Sequence, residues 1–292
     1  MRVKNQVKRV GHQSWTPTGF SLPDEEFKVH VAYAEPDPEL VRRLTYGNDV
    51  VAVLLKGYIR PEVSRALWDN FVKSAGAQER TDTVPAHKVG ADQFDKSLEQ
   101  YLAEVEATAP SVAKLFDGTV DVGLKARSDL QRWLGDRASV RLAEHGGRTA
   151  GAVRAVRWKA PGARQLDLHT DEPQMRQPEQ AGFEIQETLA PVAFNLYPVA
   201  EKGSGLFSAY NLQPDGATLR RLGIEFTGHP FPPELLHGVK SIQLEIESGD
   251  AVLFNGRFLH GVLAPQRPGA ARLLLNFFFA AKRDTASVVC WT

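Results

Sequence analysis

Residues 248–262 read SGDAVLFNGRFLHGV: a turn, a buried strand, a glycine-containing bend, then a histidine at the start of another strand. An apolar run as short as Ala251–Phe254, bounded by turn residues, is strand-sized and covered on both faces. Working outward from it, the second half of the chain repeats the pattern. RQLDLH (164–169) alternates, LAPVAFNLYPV (189–199) is a longer apolar strand, and SGLFSAYNL (204–212), SIQLEIE (241–247) and RLLLNFFFAA (272–281) follow. AVRAVRWKA (152–160) is a further strand candidate, closed by Pro161-Gly162. Many short strands separated by Gly, Pro and Asp predict an antiparallel sandwich or jelly roll.

The first half has a different rhythm. DPELVRRLTYG (37–47), PEVSRALWDNFVKSAG (61–76), ADQFDKSLEQYLAEVEA (91–107) and SDLQRWLGDR (128–137) read as helices, with Pro110 interrupting beyond the third. Val63, Ala66, Leu67, Phe71 and Val72 fall on one helical face, as do Phe94, Leu98, Tyr101, Leu102 and Val105. DVVAVLLKGY (49–58) is a strand too apolar to stand alone. The expected class is therefore α+β. Residues 1–30 form an irregular segment, 31–150 a strand-plus-helix support layer, and 151–292 the β core, all in one integrated domain.

The chain has 292 residues, 42% hydrophobic and 24% charged, with Lys plus Arg and Asp plus Glu both at 35. That balance supplies no global field toward nucleic acid or anionic membrane, so a small molecule is the expected partner. The basic start MRVKNQVKR reads as a solvated tail. Cys290 is the sole cysteine, which excludes an intrachain disulfide. No apolar leader follows the start and no run approaches the ~20 residues of a membrane span, so a cytoplasmic location is expected. Oligomeric state is not legible.

LDLHTDEP (166–173) carries the chemistry. His169 and Asp171 are two apart, and residues i and i+2 of a strand project to one side. They make two thirds of a metal site. Two imidazoles and one carboxylate on one face of a redox iron leave open positions for a co-substrate and O₂. Among the eight histidines His260 has the best context for the third ligand, with His237 in reserve. Arg272 opens an otherwise apolar strand, where a buried guanidinium needs an anion and fits a carboxylate bidentately. Arg267 ranks below it. Asn276 shares parity with Arg272, and Asn195 and Tyr197 interrupt an apolar strand, so all three are candidates to line the same cavity.

With those residues in place, the chain resembles the Fe(II)/2-oxoglutarate-dependent oxygenases over roughly residues 150–281. His169, Asp171 and His260 match the family's His-x-Asp…His triad, and SGDAVLFNGRFLHGV looks like the lead-in to its distal histidine. Arg272, twelve residues beyond His260, matches the residue that holds the far carboxylate of 2-oxoglutarate. EKGSGLF (201–207) departs from the Gly-Gly-Glu-like turn of many members. The resemblance implies a double-stranded β-helix (jelly-roll, cupin-like) core. It also implies Fe(II), 2-oxoglutarate and O₂, with Asn195 and Asn276 beside the co-substrate, and hydroxylation of an unactivated C–H bond. Related halogenases carry Gly or Ala where this chain has Asp171, so hydroxylation rather than halogenation is expected.

The polar segment EPQMRQPEQAGFEIQET (172–188) is expected to cover the pocket mouth. Arg157, Arg176 and Tyr197 are the candidate substrate contacts, which favours a carboxylate-bearing small molecule such as an amino acid or an N-acylated derivative. Two other readings stay open at this point. A cupin-type metal enzyme without 2-oxoglutarate would keep the triad but not need Arg272. A jelly-roll binding module would need neither.

Overall fold

The Arg272–Ala281 strand organises the molecule because its two faces have different jobs. Leu273, Leu275, Phe277 and Phe279 pack toward the helices, whereas Leu274 and Phe278 pack on the opposite side. The period of two in a pleated strand produces this division. The computed structural model describes residues 15–33, 35–74, 78–80, 86–158, 164–283 and 286–292. The basic start of the chain and the Pro161-Gly162 turn lie outside the described residues.

The fold is mixed α+β. A ten-stranded sheet runs in the order Val29–Ala32, Ala52–Leu55, Ala251–Asn255, Val192–Ala200, Arg272–Ala281, Arg154–Trp158, Ala86–Val89, Gln78–Arg80, with Ser287–Trp291 and Ser139–Leu142 attached beside it. A four-stranded sheet orders Arg164–His169, His260–Leu263, Phe207–Tyr210, Ser241–Leu244. The apolar 49–58 run thus enters the sheet as Ala52–Leu55, antiparallel to Ala251–Phe254.

Helices Pro38–Tyr46, Pro61–Lys73 and Val122–Leu134 bury Leu44, Leu67, Phe71, Leu130 and Trp133 in one cluster with Phe194, Leu253 and Phe277. Phe194 and Phe277 stack there at 5.0 Å. A second apolar cluster joins the two sheets through Ala193, Tyr197, Phe207, Phe254, Val262 and Phe278.

Two helix expectations change. The helix expected over 91–107 spans Leu98–Lys114, because Ser97 and Gln100 form a capping box that fixes its start. Upstream, Asp92 is drawn into ion pairs with Lys88 and Lys96 instead of a helical turn. Pro110 sits inside this helix rather than ending it. The helix expected over 128–137 spans Val122–Leu134, started by the Asp121 side chain, which accepts from Leu124 N.

Candidate active site

His169 is the last residue of its strand and His260 the first of the neighbouring one, and the register sets them directly opposite each other. Cross-strand partners in an antiparallel pair are side-chain neighbours, and the imidazole rings lie 4.1 Å apart, centre to centre. Asp171 arrives by a different route from the one the spacing suggested. It lies beyond the strand, with a helical backbone (φ −85°, ψ −21°), so strand alternation does not place it. Its N–H donates to Gly256 O at 2.7 Å, and Thr170 Oγ1 donates to Gly256 O at 2.8 Å. This folds the turn against the 248–262 segment. A Cβ on Gly256 would come within 2.7 Å of Asp171 Oδ2, so only glycine permits the approach.

The ligand atoms of His169, Asp171 and His260 all lie within 4.8 Å of one another, and all three residues are buried. His169 Nδ1 donates to Asp167 O and His260 Nδ1 to Phe258 O, each at 2.9 Å. A carbonyl can only accept, so each neutral ring keeps its Nε2 lone pair for the space between them. The Nε2 atoms lie 3.5 Å (His169) and 3.4 Å (His260) from the Asp171 carboxylate. Asp171 Oδ2 is buried and accepts no hydrogen bond.

Burial would lower the His169 pKa, but the Asp171 hydrogen bond and charge outweigh it and hold it above the usual value. Burial followed by the neighbouring His169 pushes His260 down to about 4. Burial would raise Asp171, but His260 and His169 keep it below the usual carboxylate range. The donor set therefore contains an ionised carboxylate and, in His260, an imidazole whose charge the protein resists, which suits a divalent cation.

The triad opens on a cavity whose lining includes Asn195, Tyr197, Asn276, Phe94, Gln174 and His229. Arg272 lies at the end of the same strand face. It is buried, its guanidinium stands 4.7 Å over the Tyr197 ring, and Nη1 donates to Gly205 O. Its Nε and Nη2 are buried without a hydrogen-bond partner. A cation held that way fits one end of a dicarboxylate.

Other expected residues lie elsewhere. Arg157 points to the far face of its strand and stacks on Trp68, 5.1 Å from the ring centre. Arg154, Val156 and Trp158 of that strand line the cavity. Arg176 is exposed and ion-paired with Glu172. His237 is exposed, and Arg267 is spent on Glu201 at 2.6 Å. The 172–188 segment is less polar than expected. Its Met175, Phe183 and Ile185 are buried, and Gln174 is its contribution to the cavity lining. His229, which sequence reasoning passed over, stands edge-on to His169 at 6.3 Å.

No family model matches the chain. An L-isoleucine 3(1)-dioxygenase of Pantoea ananatis (strain AJ13355) is 30% identical over 256 residues, covering 85% of this chain and 84% of that protein. The chain belongs to the Fe(II)/2-oxoglutarate-dependent oxygenases. This oxygenase uses Fe(II), with 2-oxoglutarate and O₂ as co-substrates. Solved structures similar to it include an N-substituted L-amino acid dioxygenase from Burkholderia ambifaria AMMD (TM-score 0.48, 13% identity, 87% of this chain and 91% of that one). HygX from Streptomyces hygroscopicus with nickel and 2-oxoglutarate bound is another (TM-score 0.46, 14% identity, 91% and 90%). Among the described residues, no helix is long and apolar enough to cross a membrane.

Proposed function

We propose that this dioxygenase hydroxylates an unactivated C–H bond of a carboxylate-bearing small molecule, an amino acid or an N-acylated derivative. His169, Asp171 and His260 hold Fe(II), and Arg272 holds the far carboxylate of 2-oxoglutarate. The observation that carries the reading is the buried convergence of two Nε2 atoms and a carboxylate oxygen without a hydrogen-bond partner. The unpartnered Nε and Nη2 of Arg272 support the co-substrate assignment. The name of the Pantoea relative supports an amino-acid substrate.

The two sheets are read as the walls of a double-stranded β-helix, and the helices of the first half as the outer support of one integrated domain. Pairing of Ala52–Leu55 and Ala86–Val89 into the large sheet supports that integration.

When bound, Fe(II) with 2-oxoglutarate and O₂ supplies the oxidising power for hydroxylation, converting 2-oxoglutarate to succinate and CO₂ as one oxygen enters the substrate. The protein's own work is placement. The carbonyls of Asp167 and Phe258 fix the tautomers of the two histidines. Asn195 and Asn276, opposite each other in register, flank the co-substrate, and Tyr197 lies under the Arg272 fork. Leu166, Phe207 and Val262 keep water from the reacting centre. Asp171 occupies the position that a halide would need, so hydroxylation is the outcome.

The test is a screen of amino acids and their N-acyl forms, scoring Fe(II)-dependent succinate release together with a product heavier by one oxygen. Succinate release that does not depend on Fe(II) and 2-oxoglutarate would reject the reading.

A further inference from the structure

The cavity holds a cation that the reaction as described does not use. Arg154 is the one Lys or Arg among the described residues lining it. It shares its strand face with Val156 and Trp158, while Arg157 faces away. Arg154 Nε donates to Asn276 Oδ1 at 2.8 Å, and its Nη1 is 3.7 Å from Asp92 Oδ2. Asp92 is itself buried, and Lys88 and Lys96 grip it at 2.5 and 3.2 Å. The guanidinium is thus aimed by side chains that are themselves fixed, as a recognition group must be.

Arg154 and Arg272 lie on neighbouring strands. Arg154 pairs in register with Asn276, four residues along the strand from Arg272. At ~3.3 Å per residue this separates the two backbones by roughly 13 Å. The lining of the same cavity includes the apolar Phe94, Val156, Trp158 and Phe278. A planar fork beside an apolar wall fits a carboxylate attached to an aliphatic or acyl chain.

We propose that Arg154 receives the substrate's carboxylate and positions the target C–H over the triad, so that a carboxylate is the required recognition element. The inference rests on the oxygenase reading above and assigns the substrate end of the same site.

The test compares L-isoleucine and N-acetyl-L-isoleucine with their primary amides, which keep the shape and lose the anion. Binding to the Fe(II)·2-oxoglutarate holoenzyme is measured by calorimetry without O₂, and KM and kcat are followed by succinate release. Wild-type enzyme is expected to prefer at least one acid over its amide by about 10- to 100-fold, the range of a charge-assisted pair. Arg154→Gln should erase that preference, chiefly through binding and KM, and Arg154→Lys should restore part of it. A thermal shift with 2-oxoglutarate checks that each variant is folded, and the acid–amide comparison on wild-type protein needs no variant. Equal binding of acid and amide by wild type, failure of every acid to bind, or a preference that survives Arg154→Gln overturns the inference while leaving the oxygenase reading intact. Wild-type enzyme that releases no succinate with Fe(II) under any condition overturns both.

Discussion

Replacing Arg272 by methionine should leave the ligand-free protein about as stable as before and abolish its stabilisation by 2-oxoglutarate. Two guanidinium nitrogens are buried without partners, and each unmade bond costs about 1–3 kcal/mol, so removing them relieves roughly 2–6 kcal/mol. Against that stand the bond to Gly205 O, worth about 1.5–3 kcal/mol, and the contact with the Tyr197 ring, worth ~0.5–2 kcal/mol. The terms nearly cancel, and methionine fills most of the vacated volume. A buried arginine with a full set of partners would instead cost about 3–5 kcal/mol to replace. Adding 2-oxoglutarate at a hundred times its Kd should stabilise wild type by about 2.7 kcal/mol and the variant by nothing. At roughly 2–4 °C per kcal/mol the ligand shift in Tm is several degrees. Calorimetric melts of both proteins, with and without 2-oxoglutarate at one fixed metal concentration, read all four values. A ligand-free Arg272→Met protein that melts far below wild type, or one that keeps the 2-oxoglutarate shift, would refute the reasoning.

Gly256→Ala puts a methyl 2.7 Å from Asp171 Oδ2 and should weaken Fe(II) binding by about 10- to 100-fold in anaerobic equilibrium dialysis; unchanged affinity would mean that the turn does not position Asp171. Burial pushes the Cys290 thiol up to about 12, so a chromogenic disulfide at pH 8 should react with it only after unfolding, and rapid stoichiometric reaction of native protein would contradict its burial. Burial would raise Glu184, but Arg141, the Glu144 N–H and Lys282 outweigh it and hold its carboxyl at about 2. A depressed carboxyl stabilises the fold above its ordinary value of 4.5 and loses that contribution as pH falls toward 2. The Tm deficit of Glu184→Gln should therefore be full at pH 7 and shrink between pH 5 and 2, whereas a pH-independent deficit would assign it to packing.

The strands of the second half were legible because they are apolar, short and bounded by turn residues, and Arg272–Ala281 runs over the residues that its pattern predicts. Ala86–Val89 was not, since its Lys88 is buried through ion pairs with Asp92 and Glu104 that no local pattern announces. Ser97 and Gln100 carried the true helix start in the sequence, but the apolar stripe that begins at Phe94 masked it. At the site, the residue types and the pair His169–His260 could be read, while the route of Asp171 could not. It depends on Gly256, 85 residues downstream, accepting its N–H. Arg154 and Arg157 are three apart and so face opposite ways; which face looks into the cavity is decided by the neighbouring Arg272–Ala281 strand, a tertiary fact.

The most direct measurement is anomalous diffraction from crystals of the protein loaded with Mn(II) or Fe(II) in the absence of O₂. One peak should stand between His169 Nε2, His260 Nε2 and the Asp171 carboxylate, at roughly 2.0–2.3 Å from each, and 2-oxoglutarate should bridge from it to Arg272. A metal peak elsewhere, or none at this position in metal-replete crystals, would contradict the account.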